Sequence, residues 1–167
     1  MRTGDAEGKM QAAGALWNLA GNSDNQISIA HAGAVEPLVH LLRTGDDAGK
    51  TQAAGTLKNL ACNTENQITI ARSGALKPLV QLLSARDAVG RTQAAWALKN
   101  LACNADNKIQ IAGAGAVEAL VQLLRAGDNE GRTEASAALK NLASATENHF
   151  QITRSGAVEL LVRLLKT

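Results

Sequence analysis

Apolar residues recur along the chain with the spacing of amphipathic helices, and glycines separate the apolar segments. In the unit that begins at Asp24 and Asn25, two helix-starting residues, a short segment ends at Gly33, because glycine accepts the left-handed conformation of helix ends. A second segment follows at once, and its Pro37 lies in the first turn, where a missing amide hydrogen costs little. The apolar positions are Ile27, Ile29 and Ala30 in the first segment and Val35, Leu38, Val39, Leu41 and Leu42 in the second.

A third and longest segment, from about Gly49 to Asn63, completes the unit. Gly45 and Asp46 make the break before it. In a later copy of the unit, Arg86 stands where the other copies have glycine, so we expect a less tight turn there. No segment alternates apolar and polar residues with the period of a strand. The pattern therefore predicts three helices per unit and no strands.

The same unit returns every 41 residues along the chain. The recurring positions include Gly33, Gly74, Gly115 and Gly156, and also Asn25, Asn66, Asn107 and Asn148. A fixed period of this length is typical of a solenoid, in which each unit buries its apolar face against its neighbours. We therefore expect residues 1–167 to form a single array of about four repeats that starts at a third helix and ends at a second helix.

Three stretches of each repeat carry a resemblance to a known family. In one copy they are Asn25-Gln26 through Ile29-Ala30, then Ala32-Gly33-Ala34-Val35-Glu36-Pro37-Leu38-Val39 with Leu41-Leu42, then Ala53-Ala54, Leu57 and Asn59-Leu60-Ala61. With these residues the chain resembles the armadillo-repeat family over essentially its whole length. The resemblance implies an all-α fold, a right-handed α-α superhelix with three helices per 41-residue repeat. It also implies a concave groove, lined by the third helices, that binds extended peptide segments.

One residue on the outward arc of the third helix is the same in all copies. We call these residues the asparagine ladder: Asn18, Asn59, Asn100 and Asn141. A carboxamide offers both a donor and an acceptor, which one peptide group of an extended chain requires. Asparagine in mid-helix costs roughly 0.5–0.7 kcal/mol relative to alanine, so its recurrence favours a functional reason. Recent duplication is the alternative, because it copies neutral residues as faithfully as useful ones.

The resemblance assigns roles to several residues of this arc. In armadillo proteins such as the importin-α and catenin groups, a third-helix asparagine of this kind holds the backbone of the bound peptide. Importin-like members add a tryptophan four residues earlier. Here that motif is complete only at Trp96 with Asn100, whereas Trp17 lies directly before Asn18. The departure argues against nuclear-import cargo, because the aromatic slots for basic side chains are mostly missing.

Lysines on the same arc bear on the charge of the ligand. Lys58, Lys99 and Lys140 stand directly before ladder asparagines, and Glu134 is the only acidic residue on the arc. Such lysines repel a basic segment and favour an acidic or phosphorylated one, somewhat as in catenin-like grooves. The alternative is that they only solubilise the helices. Gln52 and Gln93, on the same arc, complete the set of candidate peptide-binding residues.

Composition narrows the function classes. The 17 basic and 15 acidic residues leave a net charge of +2, which predicts neither nucleic-acid nor membrane binding. No apolar run approaches the ~20 residues of a membrane span, and the first residues do not resemble a signal peptide. Cys62 and Cys103 occupy the same position in neighbouring repeats. Packed helices lie roughly 8–10 Å apart, so we expect a separation that is too large for a disulfide. We therefore expect free thiols and an intracellular protein, cytoplasmic or nuclear.

Sequence runs that look like chemistry have simpler explanations. The run from Gly45 to Thr51 resembles a phosphate-binding loop, but it has one residue too few between its glycines. Its aligned copies indicate a turn between helices. The three histidines occupy different repeat positions, and His149 replaces the glutamine of other copies as a surface variant. We expect no enzyme, no cofactor and no metal site.

The sequence thus predicts a protein-interaction module that binds extended peptides in its groove. The alternative is a self-associating structural unit, an engineered or excised repeat fragment without an evolved ligand. Solenoid ends usually carry polar caps, but both end segments here keep apolar residues, so we expect head-to-tail stacking. These residues are Ala12, Leu16 and Leu19 at one end and Val158, Leu161, Val162, Leu164 and Leu165 at the other. The alternative to this stacking is a fragment whose ends merely fray.

Overall fold

The computed structural model describes residues 3–166, with side chains from residue 6 onward. Within these residues the elements are helical. They are α1 (Thr3–Leu19), α2 (Ser23–His31), α3 (Val35–Thr44), α4 (Asp47–Leu60), α5 (Thr64–Arg72), α6 (Leu76–Leu82), α7 (Ala88–Leu101), α8 (Ala105–Gly113), α9 (Ala116–Ala126), α10 (Asn129–Leu142), a 3-10 helix (Thr146–Asn148), α11 (His149–Arg154) and α12 (Ala157–Leu164).

The third helices pack against one another along the whole solenoid. Helices α1, α4, α7 and α10 are the third helices of successive repeats, and each packs against the next. The second helices α3, α6 and α9 lie against the third helix that follows them. Leu57, Leu98 and Leu139 occupy one repeat position on the third helices and are fully buried. This architecture confirms the predicted all-α fold with three helices per repeat.

The first helix of the repeat ends where the sequence pattern predicts, but it begins earlier. Gly33 has a φ of +81° and follows the end of α2, as predicted. The start lies earlier than expected, because the N-cap is Asn22 and not Asp24 or Asn25. Asn22 Oδ1 accepts from the backbone N–H of Asp24 at 2.9 Å and of Asn25 at 3.2 Å. Asparagine side chains at this position satisfy amides that have no partner inside the helix.

Third helices begin and end earlier than the sequence suggested. Helix α4 spans Asp47–Leu60 instead of about 49–63. Asp46 caps its start by accepting from Gly49 N at 2.8 Å, so the loop that resembles a phosphate-binding motif is a capped turn. Asn63 cannot belong to the helix, because its side chain caps α5.

The turn before α7 is longer than its counterparts, in line with the expectation for Arg86. A Cβ atom placed on Gly127, the equivalent residue of the next repeat, would lie 2.5 Å from Leu123 O. Arg86 carries such a Cβ atom, so its segment cannot adopt this turn, and α6 has 7 residues whereas α3 has 10. Arg91 Nη1 donates to the carbonyls of Ala85 and Arg86, each at 2.9 Å, which satisfies groups of the opened turn.

A second recurring asparagine joins consecutive repeats. Asn107 Nδ2 donates to Gln67 O at 3.1 Å, in the preceding first helix, and to Leu101 O at 3.1 Å in its own repeat. Asn66 and Asn148 make the equivalent pairs of bonds. The sequence pattern indicated only a helix-starting role for this position. Its recurrence is explained by hydrogen bonds that join each repeat to the preceding one.

Two other expectations concern thiols and membranes. Cys62 and Cys103 are free and exposed, as predicted. Among residues 3–166 we find no single helix with the length and apolar character of a membrane span; α8 and α9 meet the criterion only together, and they are bent by 78° where they meet.

Candidate functional site

The asparagine ladder lies along the third helices, but three of its four side-chain amides are already used. Asn59 Nδ2 donates to Trp17 O at 3.1 Å, and Asn100 Nδ2 donates to Lys58 O at 3.0 Å. Asn141 Nδ2 donates to Lys99 O at 2.9 Å. Each acceptor is the residue directly before the preceding ladder asparagine. Recurrence of the ladder therefore has a structural cause, a hydrogen bond between successive third helices.

What the ladder leaves for a ligand is mainly an acceptor. An amide group that faces a carbonyl must present its NH₂, so the oxygen points away from that contact. Asn100 Nδ2 also lies 3.5 Å from Cys62 Sγ, and Asn141 Nδ2 lies 3.8 Å from Cys103 Sγ. Within the described residues the Oδ1 atoms of Asn59, Asn100 and Asn141 have no partner, and these side chains are half-buried. Asn18 is exposed.

Trp17 reaches across to the next third helix. A Cβ atom on Gly55 would lie 2.5 Å from Trp17 Cδ2 and 2.6 Å from two further ring atoms, so the indole rests directly on the glycine. Gly55 occupies the repeat position that Trp96 fills one repeat later. The aromatic slot that looked empty in the sequence is therefore covered by Trp17. The sequence did contain a signal for this contact: Gly55 leaves the aromatic position empty, and Trp17 lies three positions away from the corresponding position of its own repeat.

Lys58 lies between the two tryptophans, and we call this arrangement of Trp17, Lys58 and Trp96 the tryptophan cleft. Lys58 Nζ is 5.3 Å from the ring centroid of Trp17 and 4.3 Å from that of Trp96. Only 8% of the residue is exposed. Burial, the largest influence, lowers the pKa of Lys58 below the usual lysine value, although nearby acidic groups oppose the shift. Favourable contact between the ammonium and the ring faces offsets part of its desolvation.

The other two lysines of the arc differ from Lys58 and from each other. Lys99 Nζ lies 4.5 Å from the Trp96 ring centroid and 2.8 Å from Glu134 Oε2. This ion pair is largely shielded, with 22% of the Lys99 side chain and 12% of the Glu134 side chain exposed. Lys140 is exposed. The three charges that the sequence placed together on an open arc are therefore not equivalent.

The glutamines of the arc lie in different surroundings. Gln52 is half-buried and lines a cavity of about 550 Å³ with Gln11, Gly14, Trp17 and Asn18 among its neighbours. Gln93 is buried, and its Oε1 has no hydrogen-bond partner among the residues that the structure describes. The structure thus brings Gln52, Trp17 and Asn18 together at one concavity. His149, expected to be a surface variant, is exposed, yet its ring Nε2 lies 2.8 Å from Ala143 O, as Gln67 Nε2 lies 3.0 Å from Ala61 O.

Comparison with known proteins agrees with the fold. The armadillo/β-catenin-like repeat model matches residues 22–62, 63–103 and 104–144. The crystal structure of an engineered protein is similar with a TM-score of 0.93 and 37% identity, over 99% of this chain and 68% of that chain. A designed armadillo repeat protein gives a TM-score of 0.88 and 31% identity, over 93% of this chain and 67% of that chain. No curated protein sequence matches the chain.

One similar structure contains a ligand. It is a designed armadillo repeat protein in complex with the peptide (KR)4, with a TM-score of 0.86 and 32% identity, over 93% of this chain and 66% of that chain. Together the comparisons confirm the resemblance found in the sequence and the armadillo solenoid fold.

Proposed function

Because the chain belongs to the armadillo/β-catenin-like repeat family, we propose that it is a protein-interaction scaffold that binds an extended peptide segment along its third helices. The observation that carries the proposal is the row of half-buried Oδ1 acceptors on Asn59, Asn100 and Asn141, one on each successive third helix. An extended peptide presents backbone N–H groups at regular intervals, and one acceptor per repeat suits that geometry. The similar designed armadillo repeat protein in complex with the peptide (KR)4 supports peptide binding by this fold.

The ladder alone binds weakly. At about 1 kcal/mol net per hydrogen bond, four rungs contribute about 4 kcal/mol, which corresponds to a millimolar Kd. Side-chain pockets must therefore supply most of the affinity. The concavity of about 550 Å³ beside Trp17, Asn18 and Gln52 is one such pocket.

The lysines of the arc indicate where an acidic residue of the peptide would bind in the groove. Lys58 and Lys99 have partners within the chain, the tryptophan rings and Glu134. Of the three lysines that precede ladder asparagines, the exposed Lys140 is therefore the most available to a ligand. An acidic or phosphorylated residue of the peptide fits best opposite it. Such a contact is exposed, so it weakens as salt rises.

Removing two rungs tests the groove. We expect Asn59→Ala combined with Asn100→Ala to weaken peptide binding by about 2 kcal/mol, roughly thirtyfold in Kd. The measurement is fluorescence anisotropy with three labelled octapeptides, one acidic, one phosphorylated and one of alternating Lys and Arg. The same change also removes two bonds between third helices, so the free energy of unfolding falls by about 1 kcal/mol per residue, while the helical circular-dichroism signal is retained.

A matched control separates binding from surface chemistry. Gln81 and Gln122 are exposed carboxamides one period apart on the second helices, and replacing both by alanine should leave peptide affinity unchanged. If a peptide binds the wild-type chain and the ladder variant binds it equally well, the groove assignment is wrong. If none of the three peptides binds at millimolar concentration, peptide binding itself is contradicted.

A second candidate function, self-association, is favoured by apolar surfaces that are exposed at both ends of the described residues. A cavity of about 770 Å³ lies between α1 and α3, lined by Ala12, Leu16 and Leu41 among others. At the other end, Val158 and Val162 on α12 are exposed. Helix α12 is a second helix by repeat phase, and the second helix α6 packs on the third helix that follows it, α7, and on the next second helix, α9. The α12 helix of a second copy therefore fits the cavity between α1 and α3, in a head-to-tail contact.

Light scattering over a concentration series tests this association. We expect the average mass of the wild-type protein to rise toward the hundreds of micromolar, since a head-to-tail contact can continue into columns. Val162→Lys should abolish the rise by placing a charge in the apolar contact. The control Gln122→Lys adds the same charge on α9, where the residue is exposed, and should leave it intact. A wild-type protein that stays monomeric throughout would exclude the contact.

A further inference from the structure

Both tryptophans of the chain lie beside one lysine. The sequence contains 2 tryptophans, and Lys58 Nζ is within 5.3 Å of the Trp17 centroid and 4.3 Å of the Trp96 centroid. Trp17 reaches this position only because Gly55 has no side chain. The two rings of the cleft therefore come from α1 and α7, and Lys58 fills it from α4, the third helix between them.

The filled cleft has the features of a cation site. Aromatic faces attract ammonium and guanidinium groups, and they do so more strongly when the cation is desolvated. Two carboxylates, Glu130 and Glu134, act electrostatically on Lys58. Glu134 is also paired with Lys99 at 2.8 Å. If the Lys58 side chain were removed, the two rings, the two carboxylates and the Lys99 ammonium would remain. The carboxylates would then outnumber the one ammonium, so the emptied cleft would favour a cation over a neutral or acidic group.

We propose that Lys58 is a specificity-determining residue that fills the tryptophan cleft and thereby excludes lysine and arginine side chains of a peptide ligand from it. Shortening Lys58 opens the cleft to such a cationic side chain. This inference rests on the proposed peptide-binding function, since it names the ligand side chains that one segment of the groove rejects. With the ammonium groups of Lys58 and Lys99 within 4.5 Å of the Trp96 centroid, a ligand cation that reaches this ring must displace one and meet the charge of the other.

Three variants separate occupancy from charge. Lys58→Ala empties the cleft and removes one positive charge. Lys58→Met removes the same charge but keeps the cleft filled with an unbranched side chain. Lys140→Ala removes one charge from an exposed position of the same arc. We expect the alternating Lys-Arg octapeptide to bind the Lys58→Ala variant at least about tenfold more tightly than either of the other two, measured by fluorescence anisotropy at fixed ionic strength.

A small probe reports on the cleft without the rest of the groove. Tetramethylammonium chloride is titrated against each protein, with sodium chloride as the ionic-strength control, and intrinsic tryptophan fluorescence is recorded. Because both tryptophans line the cleft, a saturable change reports binding there. We expect such a change for Lys58→Ala and none for the wild-type, Lys58→Met or Lys140→Ala proteins. Lys58→Ser provides a second opened cleft in case the alanine variant does not fold.

The outcomes distinguish this inference from the proposed function. Equal affinities of Lys58→Ala and Lys140→Ala for the basic peptide, with no saturable response to tetramethylammonium, would overturn it even if the ladder variants show that peptides bind the groove. A gain in Lys58→Met as large as in Lys58→Ala would overturn it as well, because charge alone would then explain the effect. Tetramethylammonium binding without peptide binding to any variant would support the cation cleft and contradict the groove function. In the wild-type chain, the Lys58 side-chain protons should show upfield ring-current shifts, and ordinary lysine shifts would refute the filled cleft.

Discussion

Replacing Asn107 by alanine is expected to lower the free energy of unfolding by about 2 kcal/mol, because two buried hydrogen bonds are lost at about 1 kcal/mol each. Asn107 is 3% exposed, and its Nδ2 donates to Gln67 O and Leu101 O, each at 3.1 Å. One bond crosses to the preceding repeat, so its loss weakens the contact between units as well as the unit itself. Denaturant unfolding followed by circular dichroism measures the difference.

The same repeat position offers an internal control. Asn25 is half-buried, and within residues 3–166 its side chain makes one bond, from Nδ2 to Leu19 O at 3.0 Å in its own repeat. Asn25→Ala should therefore cost about 1 kcal/mol or less. Equal losses for the two variants would show that the bond between repeats contributes nothing.

A larger loss, about 2–5 kcal/mol, is expected for Leu98→Ala. Leu98 is fully buried on α7, the third helix that packs against both α4 and α10. Truncation removes apolar burial and leaves a cavity that rigid helices on both sides cannot close. A loss of this size is a substantial part of the ~5–15 kcal/mol that stabilises an ordinary domain. Thermal and denaturant unfolding of the purified variant would measure it.

Leu16 occupies the same repeat position on α1, where it is half-buried beside the open cavity. Leu16→Ala removes the same atoms from a site that water already reaches, so its cost should be well below that of Leu98→Ala. If the two substitutions cost the same, burial between third helices does not explain the role of this position.

Much of the fold follows from the sequence because its signals are local. Gly33 ends α2 through its own backbone conformation, with a φ of +81°, and glycine is the residue that adopts it without strain. The apolar stripe of the second helix shows which face must be buried. Arg86 prevents the tight turn by itself, because it has the Cβ atom that glycine lacks. The 41-residue period then predicts the solenoid, because a repeated unit must stack to bury its repeated face.

The candidate site depends on contacts that cross from one repeat to the next. Asn59 and Asn100 were identified correctly as residues of the third-helix arc, but the hydrogen bonds of their amides to carbonyls 42 positions earlier were not foreseen. Lys58 was taken as an open charge, and it is instead buried between Trp17 and Trp96. Both features depend on how far one third helix is shifted along its neighbour, and no local pattern encodes that shift.

The sequence by itself therefore determined the helices, their order, the repeat period and the face of each third helix that looks outward, since these follow from backbone preferences and helical periodicity. Only the tertiary structure decided which outward side chains remain available. Successive third helices pack closely enough for Trp17 to cover Gly55 and for Lys58 to reach two aromatic rings. A long side chain on a packed surface takes the nearest favourable partner, which here lies on a helix about 40 residues away in the chain.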